Sequence, residues 1–314
     1  MLRPASVEAQ PEAWLAGMLF GISAVVFILT SAALLLALAR RSDPRPPTAP
    51  EAPRPGDRGR IRAVVTAVAA TVVVLAVVVA ASLAAGPRHE GGAPAPGALA
   101  VEVTGHLWWW EITYLAPPGG TAVTTANELH LPAGRPVDVY LRSRDVIHSF
   151  WAPSLGGKTD LVPGRPGHFR MTPLRPGEFT GFCAEFCGLQ HAHMRLTVLV
   201  ETPERFRRWL AEQSAAARAP ASPLEQQGHA VFLASPCVGC HTVRGTPAGG
   251  HLGPDLTHVA SRTTLAAGAL PNSVDQLAGW LVAPEDVKPG TLMPPAGLPA
   301  PALQAVVAYL AALR

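Results

Sequence analysis

Charged residues are scarce in this 314-residue chain, at 15% of the total, and two stretches, 14–39 and 63–85, contain none. Their absence excludes a wholly soluble protein and predicts two transmembrane helices, because each stretch is long enough to cross a bilayer. A cleaved signal peptide is the alternative for the first stretch. That stretch is long for a signal peptide, and no basic segment beyond Arg3 precedes it.

The chain also lacks a strong net charge, which is +3. Positive and negative residues balance at 11 each in 101–213 and at 5 each in 214–314. The surplus lies between the two apolar stretches, where seven arginines occupy residues 40 to 62. This arginine cluster does not indicate nucleic-acid binding, because it is confined to one short segment between two apolar stretches. Short arginine-rich loops stay in the cytoplasm, so both termini and everything after residue 86 are predicted on the outer side of the membrane.

Cysteine is rare as well, with four residues in two close pairs, Cys183 with Cys187 and Cys237 with Cys240. In an oxidising compartment, two disulfides would be the first interpretation. The residues around each pair instead favour a metal centre and a haem.

The composition changes along the chain, without an internal repeat, and predicts several domains. Residues 1–97 are expected to form a two-helix transmembrane hairpin and its connector. Short runs of alternating apolar and polar residues, bounded by Pro and Gly, predict an all-β sandwich or barrel over 98–213. A proline-containing linker, 214–223, precedes a small all-α domain over 224–314, which ends in an amphipathic helix.

The first cysteine pair lies in a segment that is rich in metal-binding side chains. Cys183, Cys187, His191 and Met194 fall within twelve residues, and His148 supplies a second imidazole from upstream. Thiolates, imidazole and a weak thioether are typical of copper electron-transfer sites, and two copper ions could share both sulfurs. A disulfide or a zinc site with two Cys and two His ligands are the alternatives. His193 is expected to point away from the ligands.

The sequences around these residues resemble subunit II of the haem-copper cytochrome c oxidases. The resemblance extends over 98–210 and includes His148-Ser149, Gly156 to Asp160, Pro163 to Arg165 and the run from Cys183 to Met194. It implies a cupredoxin-like fold and a binuclear copper centre. The implied ligands are His148, Cys183, Cys187, His191, Met194 and the backbone carbonyl of Glu185. It also implies electron entry at Trp108 and a magnesium ion at the Glu185 side chain, shared with subunit I.

The second pair belongs to the segment Cys237-Val-Gly-Cys240-His241, which is the pattern of covalent haem c attachment. The two thiols bind the haem vinyl groups, and His241 takes one axial position of the iron. A thioredoxin-like redox pair is the alternative, but no βαβ pattern surrounds it. Met293 is the only methionine after His241 and is predicted as the second axial ligand, with His251 and His258 as alternatives. The surroundings resemble a class I cytochrome c, whose haem is attached outside the bacterial membrane.

Taken together, these features predict the electron-entry subunit of a proton-translocating respiratory oxidase in the bacterial inner membrane. Electrons would pass from haem c through copper to subunit I, where oxygen is reduced to water. The implied partners are subunit I, subunit III and a donor such as a cytochrome bc complex or a small cytochrome c. A membrane-anchored electron carrier outside any oxidase is the alternative. A nitrous oxide reductase would need a large His-rich domain, for which no chain is left.

Two features depart from the family pattern. Where many members have a glutamate that assists proton uptake, near the start of the second span, this chain has Arg62. In addition, the segment 114–126 lacks the carboxylates that would attract a basic cytochrome. Because both soluble domains are neutral, the linker is expected to keep haem c near the copper, with little help from long-range charge.

Overall fold

The computed structural model describes residues 3–39, 57–85, 96–116 and 120–314. It divides into one unit of residues 10–88 and a second unit formed by residues 1–9 and 89–314. Much of the predicted arginine loop and most of the connector before the β domain lie outside the described residues.

The first unit contains helices α1 (Ala9–Ala39) and α2 (Asp57–Ala85). Each is long and apolar enough to cross a membrane, and its most apolar part is not buried within the protein. Such side chains, apolar on every face, suit a lipid environment. Both helices begin before the predicted spans, because polar residues such as Arg58 and Arg62 continue the helix beyond its apolar part.

The domain over 98–213, called the copper domain after the metal that its sequence predicts, is an all-β sandwich, as expected. Its two five-stranded sheets have the orders β3-β2-β1-β5-β8 and β4-β10-β9-β6-β7. The strands are β1 (Leu99–His106), β2 (Trp109–Tyr114), β3 (Val123–Ala126), β4 (Glu128–Pro132), β5 (Val137–Ser143), β6 (His148–Trp151), β7 (Thr159–Leu161), β8 (Gly167–Met171), β9 (Gly177–Cys183) and β10 (Arg195–Glu201).

Alternating apolar residues explain why these strands face one another across a common core. Val101 and Val103 of β1 are fully buried, as is Val198 of β10 on the other sheet. This is the period-two pattern of a sandwich strand. In the second sheet, β6 pairs with β9 so that Phe150 lies opposite Cys183. That pairing places the start of β6 beside the end of β9.

Helix α3 (Pro203–Ser214) closes the sandwich by covering a buried histidine. The ring of His130 stacks on Trp209 with centroids 3.8 Å apart. Its Nδ1 lies 3.2 Å from a Glu201 carboxylate oxygen, and its Nε2 lies 3.9 Å from Glu128. Burial alone would lower the pKa of His130, but the two carboxylates outweigh it and raise that pKa above 6.5. Hydrogen bonds likewise outweigh burial and hold the pKa values of Glu128 and Glu201 below 4.5.

This cluster predicts a pH dependence of the copper domain's stability. The contribution of His130 is complete below pH 6.5 and is lost as pH rises through its raised pKa. The contribution of Glu128 and Glu201 is present above pH 4.5 and is lost as pH falls through their lowered pKa values. Together they stabilise the fold most between these limits. His130→Gln should cost about 3 kcal/mol there, because it removes the buried cation that lies between the two carboxylates.

The measurement is the midpoint of thermal unfolding of the copper domain between pH 5 and 9, for the wild type and His130→Gln. Glu204→Gln is the control, since it removes an exposed carboxylate from the same helix α3. Equal midpoints of the wild type and His130→Gln across this range would contradict the role of the cluster.

The C-terminal domain is helical, as expected, and its core centres on Phe232, Val306, Tyr309 and Leu310. A Cβ at Gly228 would lie 1.9 Å from the Ala305 carbonyl oxygen, so only glycine allows the first and last helices to pack this closely. The helices are α4 (Pro223–Ala234), α5 (Cys237–Cys240), α6 (Val274–Val282), α7 (Pro284–Val287) and α8 (Ala300–Ala312). A two-stranded sheet of β11 (Thr264–Leu265) and β12 (Leu270–Pro271) was not predicted, because two-residue strands leave no periodic pattern.

The segment between α3 and α4 follows the surface of the C-terminal domain. The backbone N–H of Ala217 donates to the carbonyl of Arg244 at 2.9 Å. The guanidinium of Arg218 donates to the carbonyl of Ala312 at 2.7 Å and pairs with Glu225. The linker is therefore held against the C-terminal domain, whereas the sequence predicted only a connection that keeps the two domains near each other.

Candidate metal centre and haem site

The two thiols of the first cysteine pair lie together beneath the loop that follows β9. The sulfur atoms of Cys183 and Cys187 are 3.7 Å apart. His148, the first residue of β6, places Nδ1 3.8 Å from the Cys183 sulfur. His191, in a short helical turn before β10, places Nδ1 3.7 Å from the Cys187 sulfur. Each thiol therefore has one imidazole beside it.

Two weaker donors complete the group. The backbone carbonyl oxygen of Glu185 lies 3.2 Å from the Cys183 sulfur, and the Met194 thioether sulfur lies 3.9 Å from that of Cys187. His148 and Met194 are almost completely buried. The structure thus brings together all six predicted copper donors around the two sulfurs.

The donor set distinguishes copper from the two alternatives, a disulfide and a zinc site. A disulfide requires sulfur atoms about 2.05 Å apart, and all four cysteines are free thiols. His148, Cys183 and Cys187 have ligand atoms within 4.8 Å of one another, close enough for a metal ion. A tetrahedral zinc site would have no use for the thioether and the carbonyl, whereas copper electron-transfer sites use such weak donors. The residues therefore fit copper in an electron-transfer site better than a disulfide or zinc.

The thiols affect each other's ionisation. The contact with Cys187 lowers the pKa of Cys183, and the His148 ring contributes to this shift. The contact with Cys183 and burial raise the pKa of Cys187, since a second negative charge would stand beside the first. Cations bound between the sulfurs would stabilise the second thiolate, so this pair is suited to a metal centre with more than one positive charge.

Two residues that the sequence did not single out fix the His148 ring. Asp145 accepts a hydrogen bond from His148 Nε2 at 2.8 Å, which turns Nδ1 toward Cys183. Such a carboxylate typically orients a metal-binding histidine. On the other side, a Cβ at Gly105 would lie 2.7 Å from a carbon of the ring. The spacing of Asp145, three residues before His148, was the available signal.

Trp108 lies in the turn between β1 and β2 and not on the strand itself. Its side chain is 8% exposed, and the indole Nε1–H donates to the backbone carbonyl of Cys187 at 2.8 Å. The next two tryptophans lie on opposite faces of β2, as alternation predicts. Trp109 stacks on His106, and Trp110 meets His148 edge-on. Trp108 is thus the tryptophan whose ring is bonded to the cysteine loop.

Two further side chains of the loop, those of Glu185 and His193, lie away from the two sulfurs. The Glu185 side chain is 45% exposed and lies 3.6 Å from the Lys158 ammonium. His193 Nδ1 contacts the side-chain oxygen of Gln190 at 2.8 Å and is not among the groups beside the sulfurs. The carboxylate of Glu185 therefore remains accessible, while its carbonyl points to Cys183.

In the C-terminal domain, the short helix α5 carries Cys237 and Cys240, both partly exposed. The Nδ1 atom of His241 lies 2.8 Å from the Pro254 carbonyl oxygen, so the hydrogen bond leaves Nε2 for a metal. Burial lowers the pKa of His241, which favours the neutral imidazole that binds iron. A Cβ at Gly253 would lie 2.5 Å from the His241 ring. These residues fit a covalently bound haem c with His241 as an axial ligand.

The three candidates for the second axial position have different surroundings. Met293 lies between α7 and α8, half-buried against the core of its domain. His258 Nε2 contacts the Ala215 carbonyl oxygen at 3.1 Å, beneath the linker. His251 is exposed and lines a cavity of about 480 Å³ together with Glu111 of the copper domain. The two histidines thus have neighbours in or near the copper domain, which favours Met293.

Comparisons with known proteins agree with this division. The family described as "Cytochrome C oxidase subunit II, periplasmic domain" matches residues 115–201, and the family "Cytochrome c" matches residues 225–314. Cytochrome c oxidase subunit 2 of Alkalihalophilus pseudofirmus is 36% identical over 68% of this chain, and that of Bacillus subtilis is 33% identical over 66%. The chain spans 61% and 59% of the lengths of these relatives.

Among solved structures, the periplasmic domain of subunit II of cytochrome oxidase from Bradyrhizobium japonicum is similar. It is 28% identical with a TM-score of 0.35, and the match covers 38% of this chain and 96% of that domain.

Proposed function

We propose that the protein is the electron-entry subunit of a proton-translocating oxidase. Its chain joins a region that matches the periplasmic domain of cytochrome c oxidase subunit II to a region that matches cytochrome c. Electrons enter at haem c, held by Cys237, Cys240, His241 and Met293. They leave through a binuclear copper centre toward subunit I, which reduces oxygen to water.

The observation that carries this proposal is the contact between the two metal-binding domains near Trp108. The segment that follows α7 in the cytochrome domain reaches the copper loop, where the Gln190 side-chain amide donates to the Pro289 carbonyl at 2.8 Å. A Cβ at Gly290 would lie 3.8 Å from the Trp108 ring, whose Nε1–H contacts the Cys187 carbonyl. This arrangement supports electron transfer from the haem domain through Trp108 and Cys187 to copper.

The residues around the copper are suited to electron transfer and not to binding a substrate. His148, Cys183, Cys187 and Met194 are buried, so an outside molecule has little access to the sulfurs. Copper shared between two thiolates would supply one-electron transfer with little rearrangement. Oxygen chemistry therefore belongs to the partner subunit, and the half-exposed Glu185 carboxylate is the proposed magnesium ligand at that interface.

The two apolar helices are the proposed membrane anchor. With the arginine-rich loop between them in the cytoplasm, both soluble domains would lie on the outer side of the bacterial inner membrane. Subunits I and III are the proposed partners in the complex, with a cytochrome bc complex or a small cytochrome c as the donor. Because Trp108 is largely buried against the cytochrome domain, a soluble donor would deliver its electrons to haem c and not directly to the copper.

Purification of the tagged full-length chain from its native membrane tests the proposal against a free-standing electron carrier. The expected result is a complex that contains a partner with many helices and additional, non-covalent haems in the optical spectrum. Isolation of the chain alone, with covalent haem as its only haem, under detergent conditions that keep other membrane complexes intact, would contradict the oxidase and favour the carrier.

A further inference from the structure

Lys288 is a buried cation at the boundary between the cytochrome and copper domains. It is one of only two lysines in the chain and follows helix α7. Its exposure is 4%, whereas the other lysine, Lys158, has a side chain that is 53% exposed. A buried ammonium is costly unless its donors are satisfied, so the partners of Lys288 have to account for its position.

The three donors of the ammonium meet three backbone carbonyls. Two of these belong to the copper domain, Trp108 at 2.8 Å and His193 at 3.2 Å. The third, Ala266 at 3.3 Å, belongs to the cytochrome domain itself. An ammonium has three N–H donors and no acceptor, so this set satisfies it completely. Burial still lowers the pKa of Lys288 to about 8.

The two acceptors in the copper domain both adjoin residues of the proposed copper centre. The Trp108 ring donates to the Cys187 carbonyl, and His193 lies between His191 and Met194 in sequence. On the cytochrome side, Lys288 is five residues before Met293. One side chain therefore joins the segment with the proposed haem ligand to both segments that flank the copper.

A second buried contact joins the same two domains in the opposite direction. Glu128 of the copper domain is 3% exposed and accepts hydrogen bonds from the backbone N–H and the hydroxyl of Thr263 in the cytochrome domain. Here the copper domain supplies the charge and the cytochrome domain supplies the donors. Such contacts have a defined geometry, which a mobile domain on a linker would not maintain.

We propose that Lys288 is a positioning residue that fixes the cytochrome domain on the copper domain, so that electrons pass from haem c to copper in a docked state. This inference rests on the proposed electron route. In this docked state the two domains are held by a specific buried contact and do not have to meet repeatedly on a flexible linker. Salt screens buried charges much less than exposed ones, so the burial of this contact makes the transfer rate insensitive to salt. The neutrality of the two domains is then not needed to explain that insensitivity.

The test compares the full-length, metal-loaded wild type with Lys288→Met, which keeps the unbranched chain but lacks the ammonium. Rapid reduction of haem c by a light-activated donor, followed at separate haem and copper wavelengths, resolves the internal step. We expect the haem-to-copper rate to fall about tenfold or more, because three carbonyls lose a charged donor. The rate should also become dependent on solvent viscosity, since the domains then have to find each other.

The redox potentials and the optical bands of both centres should stay unchanged in Lys288→Met, and so should the rate of haem reduction. Arg207→Met is the control, because it removes an exposed cation from α3 and should behave as the wild type. An unchanged, viscosity-independent transfer rate in Lys288→Met would overturn the positioning role. So would altered haem or copper bands, since the change would then act on the centres themselves.

Amine labelling of the wild type, read by mass spectrometry, tests the docked state without electron transfer. Lys158 should react at least tenfold faster than Lys288, in keeping with their exposure. A lowered pKa alone would speed the labelling of Lys288, so slow labelling reports burial. Equal labelling would overturn the docked state. Protection of Lys288 in a wild type that transfers no electrons from haem to copper would instead contradict the proposed function, and with it the role assigned to Lys288.

Discussion

Replacing Cys187 with serine should eliminate the binuclear copper centre. The Cys187 sulfur is 3.7 Å from Cys183, 3.7 Å from His191 Nδ1 and 3.9 Å from the Met194 sulfur, so three of the six donors meet at this atom. A hydroxyl is a poor ligand for copper and does not bridge two ions as a thiolate does. We expect the loss of the paired centre and of haem-to-copper electron transfer, with haem c still attached.

The measurement is copper per chain, together with the optical spectrum of the copper centre. Met194→Leu is the matched comparison, since it removes a weak donor and replaces it with an apolar side chain of similar volume. It should keep most of the copper and shift the potential of the centre. If Cys187→Ser retained two coppers with an unchanged spectrum, the sharing of both sulfurs would be wrong.

Replacing Met293 with alanine should open one axial position of the haem while leaving the haem attached. Attachment depends on Cys237 and Cys240, and His241 remains held through the Pro254 carbonyl. Loss of the thioether should change the optical spectrum, admit small external ligands and lower the haem potential, because Met/His ligation raises that potential. Electron transfer from the haem to the copper would then gain driving force, because a haem of lower potential is the stronger reductant, whereas reduction of the haem by its own donor would lose driving force.

Optical titration with an external haem ligand measures this effect. Leu292→Ala is the control, because the neighbouring side chain is 76% exposed and its removal should leave the spectrum unchanged. An unaltered spectrum in Met293→Ala would point to His251 or His258 as the axial ligand.

The sequence could group the candidate metal-binding residues because their spacing is local. Cys183, Cys187, His191 and Met194 lie on one loop, where the short separation limits how far apart they can be. His148 was predicted as a second imidazole from upstream, but the pairing of β6 with β9 that brings it to this loop is seen only in the structure. The two apolar helices and the alternation of the strands followed from composition and periodicity alone.

The contacts between domains could not be predicted in the same way. Lys288 stands in a short polar segment, and its partners at Trp108 and His193 are remote in sequence. Nothing in the pattern distinguishes a buried lysine from an exposed one until the domains are placed. Trp108 shows the same limit, because the sequence pattern does not reveal that it lies in the turn before β2 and contacts the cysteine loop.

The linker is the clearest difference between expectation and structure. Its alanines and prolines indicated a connection that would keep haem c nearby by length alone. In the structure, hydrogen bonds from Ala217 and Arg218 hold the linker on the cytochrome domain. Composition does not reveal such contacts, because they depend on carbonyls of Arg244 and Ala312 that the fold brings close.

The most direct test of the account is the content of the purified full-length protein. Metal analysis and haem extraction should give two copper ions and one covalently bound haem per chain, as the six donors around Cys183 and Cys187 and the haem-binding segment require. The electron spin signal of the oxidised copper should show one unpaired electron shared by both ions. A single copper, or zinc in its place, would contradict the central claim.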